Sequence, residues 1–191
     1  MDWAENYFHQ ISGHLEIIKI KDNKEEVLFD DHNVIVSGMS VGISTMMALS
    51  GSQSVLDFHL DRVQFGIGTQ TEASTVFQLS EPLSSTTQYG SNANLNVVSS
   101  TLIKNGVPFE NHVFVLIPFH NVSRISETSV RYTIILDENS ANSFALREIG
   151  LFMKNPFGKV QDSSILTAYR TYSSITKSSD FALVFRWTIN F

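Results

Sequence analysis

The sequence predicts a mainly β protein: an antiparallel β-sandwich-like domain with one short helix and a long polar loop. Three observations predict it. The last eleven residues, F-A-L-V-F-R-W-T-I-N-F, place Phe181, Leu183, Phe185, Trp187, Ile189 and Phe191 on one side of an extended chain. That is the period-two pattern of a strand lying over a deep core. Shorter alternating runs recur along the chain, separated by turn-forming pairs, and only one segment carries helical spacing.

Taken in order, Leu15 to Ile20 and Val27 to Phe29 flank the charged turn K-D-N-K-E-E and predict a hairpin. Val34 to Val36 follows as a short strand. In S-G-M-S-V-G-I-S-T-M-M-A-L-S, Met39, Ile43, Met46 and Met47 recur at i, i+4, i+7 and i+8, which predicts a helix over 37–50 packed on the sheet. Ser37 is its candidate N-cap, and Gly42 weakens it by roughly 1 kcal/mol against alanine. Val63, Phe65 and Ile67 alternate with Arg62, Gln64 and Gly66 in the next strand. Leu95 to Ile103 and Val113 to Phe119 flank Asn105-Gly106, a turn pair tolerant of positive φ; Pro118 belongs at an edge or bulge. Val130, Tyr132, Ile134 and Leu136 form another alternating run. Glu148 to Lys154 and Ile165 to Tyr172 bracket Asn155-Pro156-Phe157-Gly158, which carries type I turn chemistry.

The segment 69–94 is polar, and only Val76, Phe77, Leu79 and Leu83 could anchor it. It reads as a long surface loop ordered by a neighbouring subunit; a structureless loop of this length in a compact domain usually has a function or is mobile. With residues 1–12 as an N-terminal arm, 1–191 reads as a single β-rich structural domain.

Composition excludes several classes. The net charge is −6, with 13 Lys plus Arg and no basic run, so binding nucleic acid through a cationic field is not expected. No stretch reaches the roughly 18 apolar residues of a membrane span, and the acidic, polar start is unlike a secretory leader. No cysteine is present, which removes disulfides and thiolate metal sites.

The stretch V-Q-F-G-I-G-T-Q-T, residues 63–71, resembles a phosphate loop at first reading. It lacks the lysine of a Walker loop, and Thr71 stands where a dinucleotide fingerprint needs its third glycine. A glycine-marked strand end is the better reading. Asp57, His59 and Asp61 share one face of an extended chain, but in-line residues make a poor metal site and read as a solvated face. Asp30-Asp31-His32-Asn33 reads as a turn bonding its own backbone rather than a catalytic pair. Glu148 has no second carboxylate for glycosidase chemistry; a cross-strand pair with Arg170 or Arg186 is expected instead. Tyr89, Phe109 and Tyr172 are candidate sugar-stacking aromatics. No catalytic residue, cofactor or metal is assigned.

Five ordered landmarks remain: His32 to Val36, Phe65 to Thr69, Glu148 to Phe152, Ala168 to Arg170, and Trp187 to Ile189. They correspond to an "HN-x-[IV]-V" strand before a helix, an "[IFL]-G-[TI]-G" strand end before a threonine-rich loop, an "E-x-G-L-[FY]" strand, an arginine-bearing strand and a closing "W-T-[IL]" strand. In that order they resemble a group of tailed-bacteriophage virion structural proteins found among tail, baseplate and fibre-associated components. The resemblance spans about residue 15 to 191. It implies a non-enzymatic virion component, assembled in the host cytoplasm. The component would be an adaptor or decoration in the tail, neck, baseplate or fibre attachment. The implied partners are other virion proteins and further copies in three- or six-fold symmetry. The structural or interface candidates are Phe65, Gly66, Gly68, Thr69, Val76, Phe77, Leu79, Glu148, Arg170 and Trp187. The alternative is a lectin-like module binding a host surface or glycan through loop aromatics.

Overall fold

The computed structural model describes residues 11–48, 58–154 and 163–191. The predicted turn at 155–158, Asp57, the last two residues of the predicted helix and residues 1–10 of the predicted arm lie outside the described residues. The chain is mainly β. Strands β1 (Ser12–Lys21) and β2 (Lys24–Ile35) form the first hairpin, and helix α1 (Ser37–Met47) follows. Then come β3 (Leu60–Gly66), a one-turn helix α2 (Thr86–Tyr89), β4 (Val97–Lys104) and β5 (Val107–Leu116). A 3-10 turn at Phe119–Asn121 leads to β6 (Val122–Arg124), β7 (Ser129–Leu136), β8 (Ala145–Lys154), β9 (Ser163–Thr176) and β10 (Ala182–Asn190).

The hydrogen-bonded order is β4-β5-β3-β8-β9-β2-β1-β10-β7-β6. A simple sandwich would leave β4 and β9 apart. Here Thr101 and Leu102 pair in parallel with Ser163 and Ser164, so β4-β5-β3-β8-β9 closes into a five-stranded barrel. This corrects the sandwich expectation. Closure removes the free edges that an open sheet would leave on these strands. The remaining strands form an open antiparallel sheet, joined to the barrel where β2 meets β9 at Val34 and Ile35.

Two cores result. The inner residues of the open sheet, among them Leu15, Ile17, Ile134, Phe185 and Trp187, share one cluster with Val63, Phe65, Ile149, Leu151 and Ala168 of the barrel wall. A second cluster joins Leu102, Phe114, Phe152, Leu166 and Tyr169 from four barrel strands with Val36 and Leu79, and fills the barrel. The closing segment is an interior strand: β10 lies between β1 and β7, and Trp187 is opposite both Leu15 and Tyr132. Leu183, Phe185, Trp187 and Ile189 are fully buried, but Phe191 lies beyond the strand and is 44% exposed.

Both predicted hairpin turns have the left-handed backbone that suits strand twist. Asp22 and Asn23 have φ of 51° and 60°, and Asn105 and Gly106 have 50° and 82°. Other expectations change. Asp30 to Asn33 lie within β2 and not in a turn. Pro118 caps the 3-10 turn after β5 has ended. Val36, not Ser37, caps α1, with no side-chain bond. The buried face of α1 is Gly38, Met39 and Gly42 rather than a methionine stripe, and Met47 is 85% exposed. A Cβ at Gly38 would lie 2.0 Å from the Leu166 carbonyl oxygen, and one at Gly42 2.2 Å from Met153 Sδ. The glycine that costs helix propensity is therefore what lets α1 lie against β8 and β9.

Candidate functional site

Most of the predicted site residues, Trp187 excepted, gather at one mouth of the barrel, around the Gly66–Glu148 end of the β3–β8 ladder. In β3, Val63 and Phe65 face the first core, so Arg62, Gln64 and Gly66 point the other way, into the barrel. Gly66 is paired with Glu148 of β8. Glu148 is fully buried, and its carboxylate accepts from Ser80 N at 3.1 Å, Ser80 Oγ at 3.1 Å and Glu81 N at 2.8 Å. Three donors satisfy a buried carboxylate that would otherwise be costly. The expected pair with Arg170 or Arg186 is absent, because the ladder sets Arg170 opposite Ile149 and Arg186 bonds Glu16 at 3.1 Å.

The glycines make this arrangement possible. A Cβ at Gly66 would lie 2.5 Å from Glu148 Oε1, and one at Gly68 2.3 Å from Ser80 Oγ. A Cβ at Gly150 would meet Leu166 Cδ1 at 2.8 Å and Leu79 Cδ2 at 3.3 Å. So the G-I-G motif clears space for a carboxylate and a returning chain, and the glycine of E-I-G clears space for Leu79. Leu79 is fully buried in the barrel cluster.

The segment 69–94 is therefore not a structureless loop. It turns back over β3, where Ile67 N donates to Glu81 O, Leu83 N donates to Phe65 O, and Gly66 bridges Pro82. A capping box of Ser85 and Gln88 then starts α2. Tyr89 is fully buried with its hydroxyl accepting from Phe65 N at 3.3 Å. Tyr89 is thus an anchor beyond Val76, Phe77, Leu79 and Leu83, its ring apolar and its hydroxyl satisfied. Val76 and Phe77 pack partly buried against the barrel cluster, and Thr69 is exposed.

Arg170 fastens a second point. It reaches Glu72 Oε2 at 2.8 Å and Asp31 Oδ2 at 2.6 Å, and lies 5.4 Å from the Phe29 ring centroid. Glu72 also accepts from Thr171 N and Oγ1, and the Tyr169 hydroxyl accepts from Ala73 N at 2.7 Å. Burial pushes the Tyr169 phenol above its ordinary range, which keeps this hydroxyl protonated. Trp187 is not part of the mouth; it lies in the other core, and its indole N–H has no hydrogen-bond partner among the described residues. Phe65, Leu79, Glu148 and Trp187 are fully buried within the chain.

A distinct feature lies beside α1. An apolar groove of about 410 Å³ is lined by Met39, Ile43, Met46, Phe58 and Met153, with Phe119 and Phe191 also on its wall. Phe119 is 89% exposed. His59 and Asp61 are its polar contributors, and Asp61 holds Arg62 Nε at 2.7 Å. Among the described residues, no three His, Asp or Glu side chains gather as a metal set would. Of the candidate stacking aromatics, Tyr89 and Tyr172 are buried, and only Phe109 reaches the surface.

The fold and this site together define a class: a plugged five-stranded barrel carrying an open sheet, with an apolar groove at its flank. Compared with known proteins, the chain matches no family model, no curated protein and no solved structure.

Proposed function

We propose that this chain is a structural component of a tailed-phage virion, an adaptor or decoration in the tail, neck, baseplate or fibre attachment. It works by assembly with other virion proteins and with further copies of itself. The observation that carries the reading is the exposed apolar surface around the groove. Phe119 at 89% and Phe191 at 44% exposure leave large side chains in water on a concave apolar wall. Surfaces of this kind mark interaction sites. The occupant is an apolar segment of a second copy, because a virion ring repeats one interface. The motif residues that carry the phage resemblance support the reading in a different way. Gly66, Gly68, Glu148, Gly150 and Arg170 all hold the barrel plug in place, which is the work of a scaffold.

Sedimentation of the purified chain over a rising concentration series tests this. Self-association that weakens when Phe119 and Phe191 become serine is the expected result. A monomer at every concentration, with the chain also missing from purified particles by mass spectrometry, defeats the proposal.

A further inference from the structure

A second concave surface lies away from the groove, between α2 and the loop joining β7 to β8. It encloses about 350 Å³ and is lined by Gln88, Ser91, Asn92, Asn139, Asn142 and Phe144, with no charged residue among its walls. We infer that this pocket binds a neutral saccharide.

The chemistry of the lining selects the ligand class. No cation lies on the wall itself; the one behind it, Lys177, is fully buried with its ammonium donating to Asn142 Oδ1 and Ser178 O, and Asp137 and Glu138 of the adjoining loop add negative field, so an anionic group is not favoured. With one aromatic ring and little other apolar surface, the pocket suits no lipid tail. Carboxamides carry both donor and acceptor atoms, as vicinal sugar hydroxyls do, so one amide can engage two neighbouring hydroxyls. Phe144 adds the single apolar surface that the C–H face of a sugar needs.

The amides divide by role. Asn142 is committed to the frame: its Oδ1 accepts from the fully buried Lys177 at 3.1 Å and its Nδ2 donates to Glu138 O at 2.7 Å. Gln88 Oε1 is committed to the α2 cap. The side chains of Asn92 and Asn139 are exposed and make no hydrogen bond among the described residues. They are the two amides left to meet a ligand.

The frame is held ahead of any binding. Ala141 and Ser143 have positive φ, 51° and 71°, outside the hairpin turns where the other such residues lie. Strained backbone of this kind persists only where its surroundings fix it. Ala141 N donates to Tyr89 O, Ser143 N donates to Lys177 O, and Lys177 N donates to Phe144 O. Gly90, with φ of 98°, lets the two walls approach: a Cβ there would lie 2.2 Å from Asn139 O. Pre-organised walls reduce the ordering cost of binding a weakly held ligand.

Backbone amide NMR of the full chain, titrated to high millimolar glucose, galactose and N-acetylglucosamine in separate series, tests the inference. The expected result is saturable shifts with at least one sugar, centred on residues 87–92 and 139–144. Replacing Asn92 and Asn139 together by alanine should weaken that binding at least about tenfold while leaving thermal unfolding unchanged. No saturable shift with any of the sugars overturns it. So do shifts centred elsewhere, and so does binding that survives in a folded double variant. The site is separate from the assembly groove, so either reading fails without the other.

Discussion

Gly66 and Glu148 are paired across the β3–β8 ladder, and a Cβ at Gly66 would lie 2.5 Å from Glu148 Oε1. The glycine and the carboxylate occupy one space. Glu148 cannot swing aside, because Ser80 and Glu81 hold it. Gly66→Ala should therefore destabilise the chain by about 1–3 kcal/mol, the usual cost of overpacking. Urea unfolding measures this, and an unchanged midpoint means the two residues do not share that space.

Glu148→Gln keeps the shape and removes the charge. A neutral amide presents an NH₂ to donors that needed an acceptor, so one or more of the three bonds is lost. Charge-assisted bonds contribute roughly 1.5–3 kcal/mol each, and a loss of about that size is expected. Hydrogen exchange gives the sharper readout: the Ser80 and Glu81 amides should lose protection while those of β10 keep theirs.

His112 gives a pH dependence with a definite sign. Its Nδ1 accepts from Gln64 Nε2 at 3.3 Å, and burial holds the imidazole below its ordinary range. The unfolded chain therefore takes up the proton first, near pH of about 6.5. Stability should be full above that value and fall as pH drops toward the folded-state pKa. His112→Gln should show a flatter acid limb when unfolding midpoints at about pH 7.5 and about pH 5 are compared. An equally steep limb in the variant assigns the acid sensitivity to another group.

Gly38→Ala should lift α1 from the barrel. The clash at 2.0 Å is with the Leu166 carbonyl, which is backbone and cannot rotate away. A cost of at least about 2 kcal/mol is expected, despite the gain of up to roughly 1 kcal/mol in helix propensity. A more stable variant would show that α1 does not pack as described.

Removing residues 181–191 should abolish folding. The cut deletes β10, which separates β1 from β7 and carries the fully buried Trp187. Both neighbouring strands would lose their ladder and their core face together. A truncated chain with a cooperative unfolding transition would contradict this.

Local pattern made most strands readable. The alternation of Phe181 to Ile189, and of Val130 to Leu136, marks faces without knowledge of any neighbour, since strand side chains switch sides at every residue. Asp22-Asn23 and Asn105-Gly106 likewise announce their turns through backbone preference alone. Other features depend on residues far apart in sequence. The closure of β4 on β9 rests on two paired residues in each strand, 62 positions apart for Thr101 and Ser163, and no periodicity encodes it. Glu148 looked like a partner for arginine because charge seeks charge; the register instead offered it the amides of Ser80 and Glu81. The polar segment that followed Gly68 looked unsupported because its supports, Glu148, Arg170 and Tyr169, lie about 70 to 100 residues away. The sequence by itself determined which residues face inward along each strand. Only the tertiary structure decided which strands close together and which buried polar group receives which donor, because those choices depend on spatial proximity rather than on spacing along the chain.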